Sequence, residues 1–366
     1  MISNKLPLKI FNNASFLYPL FLYFYTGYSD NMIYENISLK KFNSFGLNVR
    51  ADHLATFKLE ENAIHFFKLH KGSDQSYLVL GRGSNILFTG DFHGTIIHPE
   101  MEGITLEGKK GNDVIVSAGA GVIWDKLVES TVNNGLGGLE NLSLIPGLVG
   151  ATPVQNIGAY GAEVKDTIEK VRAISLEDGS VREFTNEECR FGYRESIFKG
   201  ELKGKYLITK VYFRLSTHPK LCLEYGSLKE EINKLGSTSL GNVRKLVITT
   251  RQNKLPDPDQ IGNAGSFFKN PVVKGSDVND LKTKYPKLPV FQDHSGGMKI
   301  AAGWLIEQCG WKGKRIGDAA VHDKHTLVIV NHANATGKDL FDLSEQIKKS
   351  VAEKFGITLE REVEVI

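Results

Sequence analysis

Cysteine is scarce in this sequence, and the three thiols, Cys189, Cys222 and Cys309, stand far apart among 366 residues. No two of them have the short spacing that a metal site requires, and a sparse, odd count is typical of a reducing compartment. The sequence therefore predicts no disulfide framework and no metal. It favours the cytoplasm, with buried and inert thiols.

Strong charge of one sign is missing as well. The formal net charge is +3, and neither a run of lysines and arginines nor a stripe of interleaved aromatic residues is present. Such patterns accompany nucleic-acid binding, so no nucleic-acid partner is expected. The chain is longer than one ordinary hydrophobic core requires, which predicts two or three domains of a soluble protein.

Long apolar runs are rare, and the exception lies near the start of the chain. Residues 16–28 are apolar and aromatic, but Pro19 and Gly27 interrupt them, and a bilayer span takes about 20 apolar residues. Lysines precede the run as in a signal peptide, yet no small-x-small cleavage site follows. We interpret residues 1–31 as an extension outside the fold or the product of a misplaced start codon. An export signal is the alternative, and no membrane partner is predicted.

Glycine and proline are concentrated in residues 145–166, I-P-G-L-V-G-A-T-P-V-Q-N-I-G-A-Y-G-A-E-V-K-D. Apolar residues are interleaved with them, which indicates a packed segment: Val149, Val154 and Ile157. Four glycines permit positive φ and a close approach of the backbone to a ligand, as in an anion-binding nest: Gly147, Gly150, Gly158 and Gly161. A buried structural crossover is the alternative.

A second glycine-rich turn, G-R-G-S-N-I-L-F, occupies residues 81–88 and follows a predicted strand at 77–80. It contains half of a dinucleotide-binding fingerprint, but the third glycine is missing and the following residues read as a strand. A Rossmann unit is therefore not predicted. Backbone donors at a strand end, with Ser84 and Asn85 beside them, suit a pyrophosphate, and a plain β-turn is the alternative.

Short strands and helices alternate along the remaining chain. Hydrophobic periodicity predicts helices at residues 60–71, 122–133, 300–309 and 337–355, the last with a capping box from Thr336 and Asp339. The predicted strands lie at 48–59, 77–80, 114–118, 171–175, 181–184, 206–215 and 358–366. A charge-rich stretch at 233–253 indicates a domain boundary.

Four further motifs carry candidate chemistry. Arg194 lies among aromatic residues at 191–199, where a guanidinium can stack and still offer a fork to an anion, although a surface pair with Glu195 is the alternative. Residues 251–256, R-Q-N-K-L-P, place two cations beside a proline turn. Ser266 lies between a glycine and two phenylalanines, without the Gly-x-Ser-x-Gly spacing of a nucleophile. The closing glutamates share one face of a predicted strand and would ordinarily be a solvated face: Glu360, Glu362 and Glu364.

In order and spacing, these motifs resemble those of the UDP-N-acetylenolpyruvoylglucosamine reductase family, flavoenzymes of peptidoglycan precursor synthesis. The resemblance runs from about residue 43 to the end and includes A-A-G-W-L-I-E-Q-C-G at 301–310. It implies an α+β fold, with an FAD-binding domain of the PCMH/vanillyl-alcohol-oxidase type and a C-terminal α+β substrate-binding domain. The implied parts are residues 32–102 and 103–240 for the two FAD-binding subdomains and 241–366 for the substrate domain, with the chain returning at its end.

The resemblance also implies the ligands and the site. NADPH gives a hydride to FAD, which reduces the enolpyruvyl ether of UDP-N-acetylglucosamine, and a monomer suffices. Ser266 donates the proton to the α-carbon, while Arg194 and Glu362 stabilise the enolic carboxylate. The implied FAD-binding residues are Gly81, Arg82, Gly83, Ser84, Asn85, Pro146, Gly147, Gly150, Ala151, Gln155, Asn156, Gly158 and Ala159. The implied substrate-binding residues are Tyr160, Tyr225, Lys254, Asn270 and His325.

Tyr225 and His325 lie at substrate positions that differ among members of the family. Family members come in two forms, and Tyr225, in a segment that leads into a helix, resembles the extra tyrosine of one form. Where related sequences often have an amide, this chain has His325, which leaves that contact open.

Two other classes of function stay open at this point. One is a sugar oxidase of the same flavin fold, although the turn at 81–88 lacks the histidine that often anchors flavin covalently. The other is a non-catalytic nucleotide-binding regulator, which would not need Arg194, Ser266 and Glu362 together.

Overall fold

The computed structural model describes residues 31–292 and 297–366. The hypothesis that the first 31 residues are an extension concerns a segment that, apart from Asn31, lies outside the described residues. Within the described part, the fold is a set of small sheets covered by helices.

The first part is a four-stranded sheet with one helix. Its elements are β1 Asn31–Ser38, β2 Arg50–Phe57, α1 Glu60–Leu69, β3 Tyr77–Val79, β4 Ile86–Leu87 and β5 Phe92–Pro99. The strand order is β1-β2-β5-β3, with β1 antiparallel to β2 and the other pairs parallel. Helix α1 buries Ala63, Phe66 and Phe67, as its periodicity predicts. The turn at 81–85 leads into β4, so the predicted strand after it is confirmed.

The second part is an antiparallel sheet of five strands in the order β11-β10-β12-β7-β6. Its elements, with a small hairpin, are β6 Ile104–Lys110, β7 Asp113–Gly119, α2 Trp124–Asn133, β8 Gly158–Ala159, β9 Ala162–Glu163, β10 Ile168–Ser175, β11 Val181–Thr185 and β12 Tyr206–Ser216. Helix α2 buries Leu127 and Val132. Ile123 is the N-cap of this helix and is partly buried.

The third part begins with two helices and contains two small sheets. Its elements are α3 Leu228–Lys234, α4 Leu240–Lys254, β13 Gly262–Ser266, β14 Val272–Val273, α5 Gly275–Lys284, β15 Val290–Gln292, β16 Met298–Ile300, α6 Ala302–Gln308, β17 Arg315–Ile316, β18 Ala319–Val321, β19 Val328–Asn331, α7 Gly337–Phe355 and β20 Glu364–Val365. The sheet orders are β13-β19-β18-β17 and β14-β16-β15. The predicted bounds and capping box of α7 are confirmed, and Gly356 ends the helix at φ 68°.

The hydrophobic core connects distant parts of the sequence. One cluster joins residues of the first sheet, such as Leu54 and Ile96, to residues of α7, such as Leu340 and Ile347. At the end of the chain β20 pairs in parallel with β4. A second cluster fills the space between the five-stranded sheet and α2.

One predicted strand is wrong in extent, and one helix was not predicted. The predicted terminal strand at 358–366 is reduced to Glu364–Val365, because the preceding residues pair only at the isolated bridge between Phe268 and Arg361. The charge-rich stretch at 233–253 contains most of helix α4. That helix buries only Val243 and Val247, and its Arg244 pairs with Asp125 of α2. A narrow apolar stripe with polar residues elsewhere has little helical signal in sequence.

Candidate active site

The clearest contact between predicted catalytic residues joins Arg194 and Glu362. The Nε of Arg194 donates to Oε1 of Glu362 at 2.8 Å, and the two side chains are 17% and 13% exposed. The Nη2 group donates to the carbonyl of Gly158 at 2.6 Å, and the guanidinium carbon lies 5.3 Å from the ring centre of Tyr193. The alternative of a surface pair with Glu195 is therefore wrong, and so is a solvated face for Glu362.

Gly158 is adjacent to Arg194, and its missing side chain makes room for the guanidinium. A Cβ at Gly158 would lie 2.8 Å from Nη1 of Arg194 and 3.0 Å from the carbonyl oxygen of Ala162. The φ values of Gly147 and Gly161 are 142° and 83°. No positive φ is recorded for Gly150 or Gly158, so those two serve close packing within the protein rather than an unusual backbone shape.

Backbone strain is concentrated around the same stretch. Within the described residues, non-glycine residues in the left-handed region lie between 144 and 194, apart from Asn36: Leu144, Asn156, Tyr160, Arg190 and Arg194. Such conformations cost about 1–3 kcal/mol each and are typical of functional sites. The 145–166 segment is also packed, since Val149 and Ile157 are buried, as predicted.

Ser266 ends strand β13, opposite Val328, after a shift of register that begins at Asn263. Gly265, at φ 68°, donates its N–H to the side chain of Asn263 at 3.0 Å. A bulge of this kind turns the next side chain to a new direction. The amide of Glu362 donates to the carbonyl of Phe267, the residue after Ser266, at 2.9 Å. The tertiary structure thus places the backbone segments of Ser266 and Glu362 side by side.

Asn85 connects the two glycine-rich segments to the C-terminus. Its side-chain amide donates to Oε1 of Gln155 and, at 3.1 Å, to the carbonyl of Glu362. Its own carbonyl accepts from the amide of Glu364 at 3.0 Å. Two predicted FAD-binding residues are therefore in direct contact, and they also hold the main chain of a predicted catalytic residue.

The turn at 81–85 and the central stretch meet at Ser84, whose hydroxyl donates to the carbonyl of Pro146 at 3.0 Å. Gly83, at φ 57°, could not accept a Cβ, which would lie 2.2 Å from the carbonyl oxygen of Phe42. Asn156 has its side chain occupied by Glu163, Gly192 and Lys165, so only its backbone is left for a ligand.

A cleft of about 740 Å³ opens beside these turns. Its lining combines basic residues, two glutamates and apolar surface: Lys58, Arg82, His98, Pro99, Glu100, Glu102, Gly121, Ile123 and Leu148. Arg82 belongs to the predicted FAD-binding set, and Leu148 lies within the central stretch. Cations near exposed backbone donors suit a pyrophosphate, and the apolar residues suit flat rings, so these residues fit a flavin dinucleotide.

Sequence reasoning missed several residues of this cleft. Lys58 follows β2, and His98 lies in β5, which was not predicted as a strand. His98 is held by the carbonyl of Leu80 at 2.7 Å from Nδ1 and by the edge of the Phe42 ring. Parallel pairing of β2 with β5 brings Lys58 and His98 together, and no local pattern in the sequence records that pairing.

Two of the predicted substrate residues, Tyr160 and His325, lie within electrostatic range of Arg251, which is in the last turn of α4. The Nε of Arg251 is buried and has no hydrogen-bond partner in the described part of the chain, and burial lowers the pKa of this guanidinium. Tyr160 and Tyr225 meet edge to face with ring centres 5.7 Å apart, and burial raises the pKa of Tyr160. A desolvated cation beside two aromatic rings matches an anionic ligand with a flat base or sugar.

His325 lies in the electrostatic environment of Lys254 and Arg251. Burial, and then the positive charges of His322 and Lys254, lower the pKa of His325, so its ring is neutral near pH 7. Its Nδ1 is buried and has no hydrogen-bond partner among the described residues. Asn270, by contrast, has its side-chain oxygen occupied, because it accepts from the amide of Ala302 at the start of α6 at 2.9 Å.

The three cysteines differ in burial but share a raised pKa. Cys189 is buried and Cys222 and Cys309 are partly buried, so full burial holds for the first alone. Burial raises the pKa of all three, to about 12 for Cys189, which keeps the thiols protonated and inert as predicted.

Among the described residues, no helix has the length and apolar character needed to cross a membrane.

Comparison with known proteins defines the class first. An FAD binding domain matches residues 51–185, and the UDP-N-acetylenolpyruvoylglucosamine reductase C-terminal domain matches residues 257–366. The fold is therefore α+β, and the protein is a flavoprotein with an FAD-binding domain followed by a reductase domain, as predicted.

Whole-chain relatives then give the family. UDP-N-acetylenolpyruvoylglucosamine reductase from Flavobacterium johnsoniae is 44% identical over 337 residues, covering 91% of this chain and 99% of the relative. The enzyme of that name from Chromobacterium violaceum is 46% identical over 333 residues, covering 89% and 97%. A crystal structure of UDP-N-acetylenolpyruvylglucosamine reductase from Thermus caldophilus has a TM-score of 0.65 at 27% identity, covering 92% and 99%. This chain belongs to the UDP-N-acetylenolpyruvoylglucosamine reductase family.

Proposed function

We propose that this chain reduces the enolpyruvyl ether of UDP-N-acetylglucosamine to UDP-N-acetylmuramate, with NADPH as hydride donor, in peptidoglycan precursor synthesis. The single observation that carries the residue assignment is the 2.8 Å hydrogen bond between Arg194 and Glu362. The backbone amide of Glu362 in turn donates to the carbonyl of Phe267, the residue after Ser266. Bound FAD supplies the hydride carrier between NADPH and the sugar nucleotide. Arg82, Lys58 and His98 of the cleft, with the turns at Gly83 and Gly147, would hold it.

Arg194 is arranged to bind a carboxylate. Its Nε and Nη2 bond Glu362 and Gly158, and in the described part of the chain its Nη1 has no hydrogen bond to protein. The N–H groups of Nη1 are therefore available to the carboxylate of the enolpyruvyl group, where charge develops as hydride is added at the terminal carbon. Preorganised donors of this kind contribute about 3–4 kcal/mol each to transition-state stabilisation.

Ser266 is assigned the proton transfer to the α-carbon. A neutral hydroxyl is a weak acid in water, but the developing carbanion is strongly basic, so the transfer is downhill once the hydroxyl is correctly placed. The bulge at Gly265 is what directs this side chain. Glu362 supports the reaction by orienting Arg194 toward the enolic carboxylate.

The sugar nucleotide is assigned to the region of Arg251. Arg251 and Lys254 offer cations to the diphosphate, and Tyr160 and Tyr225 offer ring faces. The neutral His325 is assigned a hydrogen bond to the ligand through its ring nitrogen. It replaces the amide side chain that related sequences often have at this position. We also propose that the domains divide at residues 102 and 240 and that the protein is a monomer. The free and inert thiols support a location in the cytoplasm.

The function is tested by anaerobic absorption spectroscopy of the purified protein. NADPH alone should bleach the visible flavin band, and the enolpyruvyl ether should then restore it with one equivalent of the muramate product. A sugar oxidase would keep its colour with NADPH and would need oxygen. A nucleotide-binding regulator would be purified without flavin, and either result would contradict the proposal.

A further inference from the structure

Lys269 is the most buried charged side chain near the proposed catalytic residues, with 8% of it exposed. Its Nζ lies 2.5 Å from Oε1 of Glu195 and 2.6 Å from Oε1 of Glu360. Two carboxylates of the protein therefore occupy its ammonium group. Burial opposes the charge, but the two carboxylates outweigh burial and raise the pKa of Lys269.

The two partners of Lys269 lie next to catalytic residues. Glu195 follows Arg194 directly, Glu360 lies just before Glu362, and Lys269 itself follows Ser266 in the same segment. A single ammonium group therefore connects the three chain segments that carry the proposed catalytic residues.

The three segments are not held equally by the backbone. Those of Ser266 and Glu362 are joined by main-chain bonds, from Glu362 to Phe267 and from Lys269 to Glu360, both at 2.9 Å. The turn at 192–195 has no such main-chain bond to them in the described part of the chain.

That turn is anchored elsewhere. Ser196 and Asn156 bind it to the central stretch, through the carbonyls of Val154 and Gly192. In the described part of the chain, side-chain contacts join it to the Ser266 and Glu362 segments: the pairs of Lys269 with Glu195 and of Arg194 with Glu362, and a hydrogen bond between Tyr193 and Asn270.

We propose that Lys269 is a positioning residue for the reduction of the enolpyruvyl group: it fixes the turn that carries Arg194 against the segments that carry Ser266 and Glu362. The proposal rests on the catalytic assignment made above. Without Lys269, the Arg194–Glu362 pair and the contact of Tyr193 with Asn270 would have to hold the turn, and Arg194 would also have to bind the substrate. The carboxylates of Glu195 and Glu360 would also face each other without a cation and repel, which would push the turn away.

The first experiment compares the two half-reactions in Lys269→Met, which keeps most of the unbranched side chain and removes its charge. Reduction by NADPH should stay within about twofold of the normal rate. Reoxidation by the enolpyruvyl ether should slow by about 10- to 100-fold, the effect expected of a displacement on the order of 1 Å. Lys203→Met is the matched control, because it removes the 2.6 Å pair with Glu364 in the same C-terminal segment without touching the Arg194 turn.

The second experiment asks whether repulsion is the cause. In the double variant Lys269→Met with Glu195→Gln, one of the two unpaired charges is gone, so reoxidation should recover several-fold relative to Lys269→Met alone. Lys269→Arg should restore part of the rate, since a guanidinium can also bind two carboxylates. A double variant that is slower than the single one would overturn the proposal.

Two other results in Lys269→Met would contradict the proposal. Raised KM values for both substrates with unchanged kcat would make Lys269 a ligand contact. Equal slowing of both half-reactions would make it a general structural residue. If Lys269→Met does not fold, Glu195→Gln, whose side chain is half exposed, must slow reoxidation selectively or the proposal fails. If Arg194→Ala leaves reoxidation intact, the catalytic assignment itself is wrong, and this result is independent of Lys269.

Discussion

The side-chain amide of Asn85 donates a hydrogen bond to the backbone carbonyl of Glu362, 277 residues later in the chain, at 3.1 Å. Asn85 lies in the turn assigned to FAD, and Glu362 pairs with Arg194 at the assigned reaction centre. The same amide also contacts Gln155 of the central stretch. One side chain therefore holds both the turn assigned to FAD and the main chain of Glu362.

Replacing Asn85 with alanine should weaken both functions at once. Loss of hydrogen bonds worth about 1 kcal/mol each predicts FAD binding weaker by roughly tenfold, together with slower reoxidation by the enolpyruvyl ether. FAD fluorescence titration measures the first effect, and stopped-flow absorbance measures the second. Ser84→Ala is the comparison, because its hydroxyl contacts Pro146 and not Glu362. If Ser84→Ala and Asn85→Ala changed reoxidation equally, the link to Glu362 would be unsupported.

Replacing Ser266 with alanine should separate the half-reactions. Reduction by NADPH needs no proton from Ser266 and should proceed at a near-normal rate, whereas reoxidation should slow by about 10²- to 10⁴-fold. Ser266→Cys should retain part of the activity, since a thiol can also donate a proton. Equal slowing of both steps in anaerobic stopped-flow experiments would make Ser266 a binding residue instead of the acid.

Gly158→Ala should displace the Arg194 guanidinium, because the new methyl group would lie 2.8 Å from Nη1. The loss of one preorganised donor predicts reoxidation slower by about 10²- to 10³-fold, with reduction by NADPH less affected. Gly108→Ala is the control, since a Cβ there meets nothing within 4 Å. Normal reoxidation in Gly158→Ala would show that the position of Arg194 is not critical.

Lys254→Ala should raise KM for the sugar nucleotide and for NADPH, with a smaller effect on kcat, because Lys254 is assigned to ligand phosphates rather than to the reacting atoms. Lys245→Ala removes an exposed lysine from an earlier turn of the same helix α4 and is the matched control. Steady-state kinetics with each substrate varied in turn decide the matter. An effect on kcat alone would assign Lys254 to the chemistry.

Asp125→Asn should destabilise the protein in a pH-dependent way. Arg244 binds Asp125 with two hydrogen bonds, at 2.7 and 2.9 Å, and the amide of Leu144 donates a third at 2.6 Å. Burial raises the pKa of Asp125, but these donors outweigh it and hold the pKa below its ordinary 3.8. The stabilisation is thus complete above the unfolded-state pKa and is lost as pH falls through the lower folded-state pKa.

The expected loss in Asp125→Asn is about 2–4 kcal/mol of unfolding free energy at neutral pH, shrinking as the pH falls below about 4. Urea denaturation at several pH values measures it. Asp113→Asn breaks a half-exposed pair with Arg214 and should cost no more than about 1 kcal/mol. A penalty for Asp125→Asn that grew in acid would refute the assigned direction of the pKa shift.

Sequence patterns predicted the helices and strands that are specified by their own residues. Helix α7 has a capping box, an apolar stripe and a terminal glycine within its own residues, and its predicted bounds are confirmed. The terminal strand was predicted from alternating residues, yet those residues pair mainly with separate side chains, Lys269 with Glu360 and Arg194 with Glu362. Alternation alone could not distinguish a strand from an extended segment held by ion pairs.

The sequence by itself determined the family, the flavin turns and the identity of the proposed catalytic residues, because those signals are short motifs in a characteristic order. Only the tertiary structure decided which carboxylate meets Arg194, that Gly158 leaves room for its guanidinium, and that Lys269 faces two glutamates. These contacts join residues as far apart as 168 positions in the chain. The packing of distant segments determines which residues meet. The spacing of residues along the sequence does not specify the distance in space between two such segments.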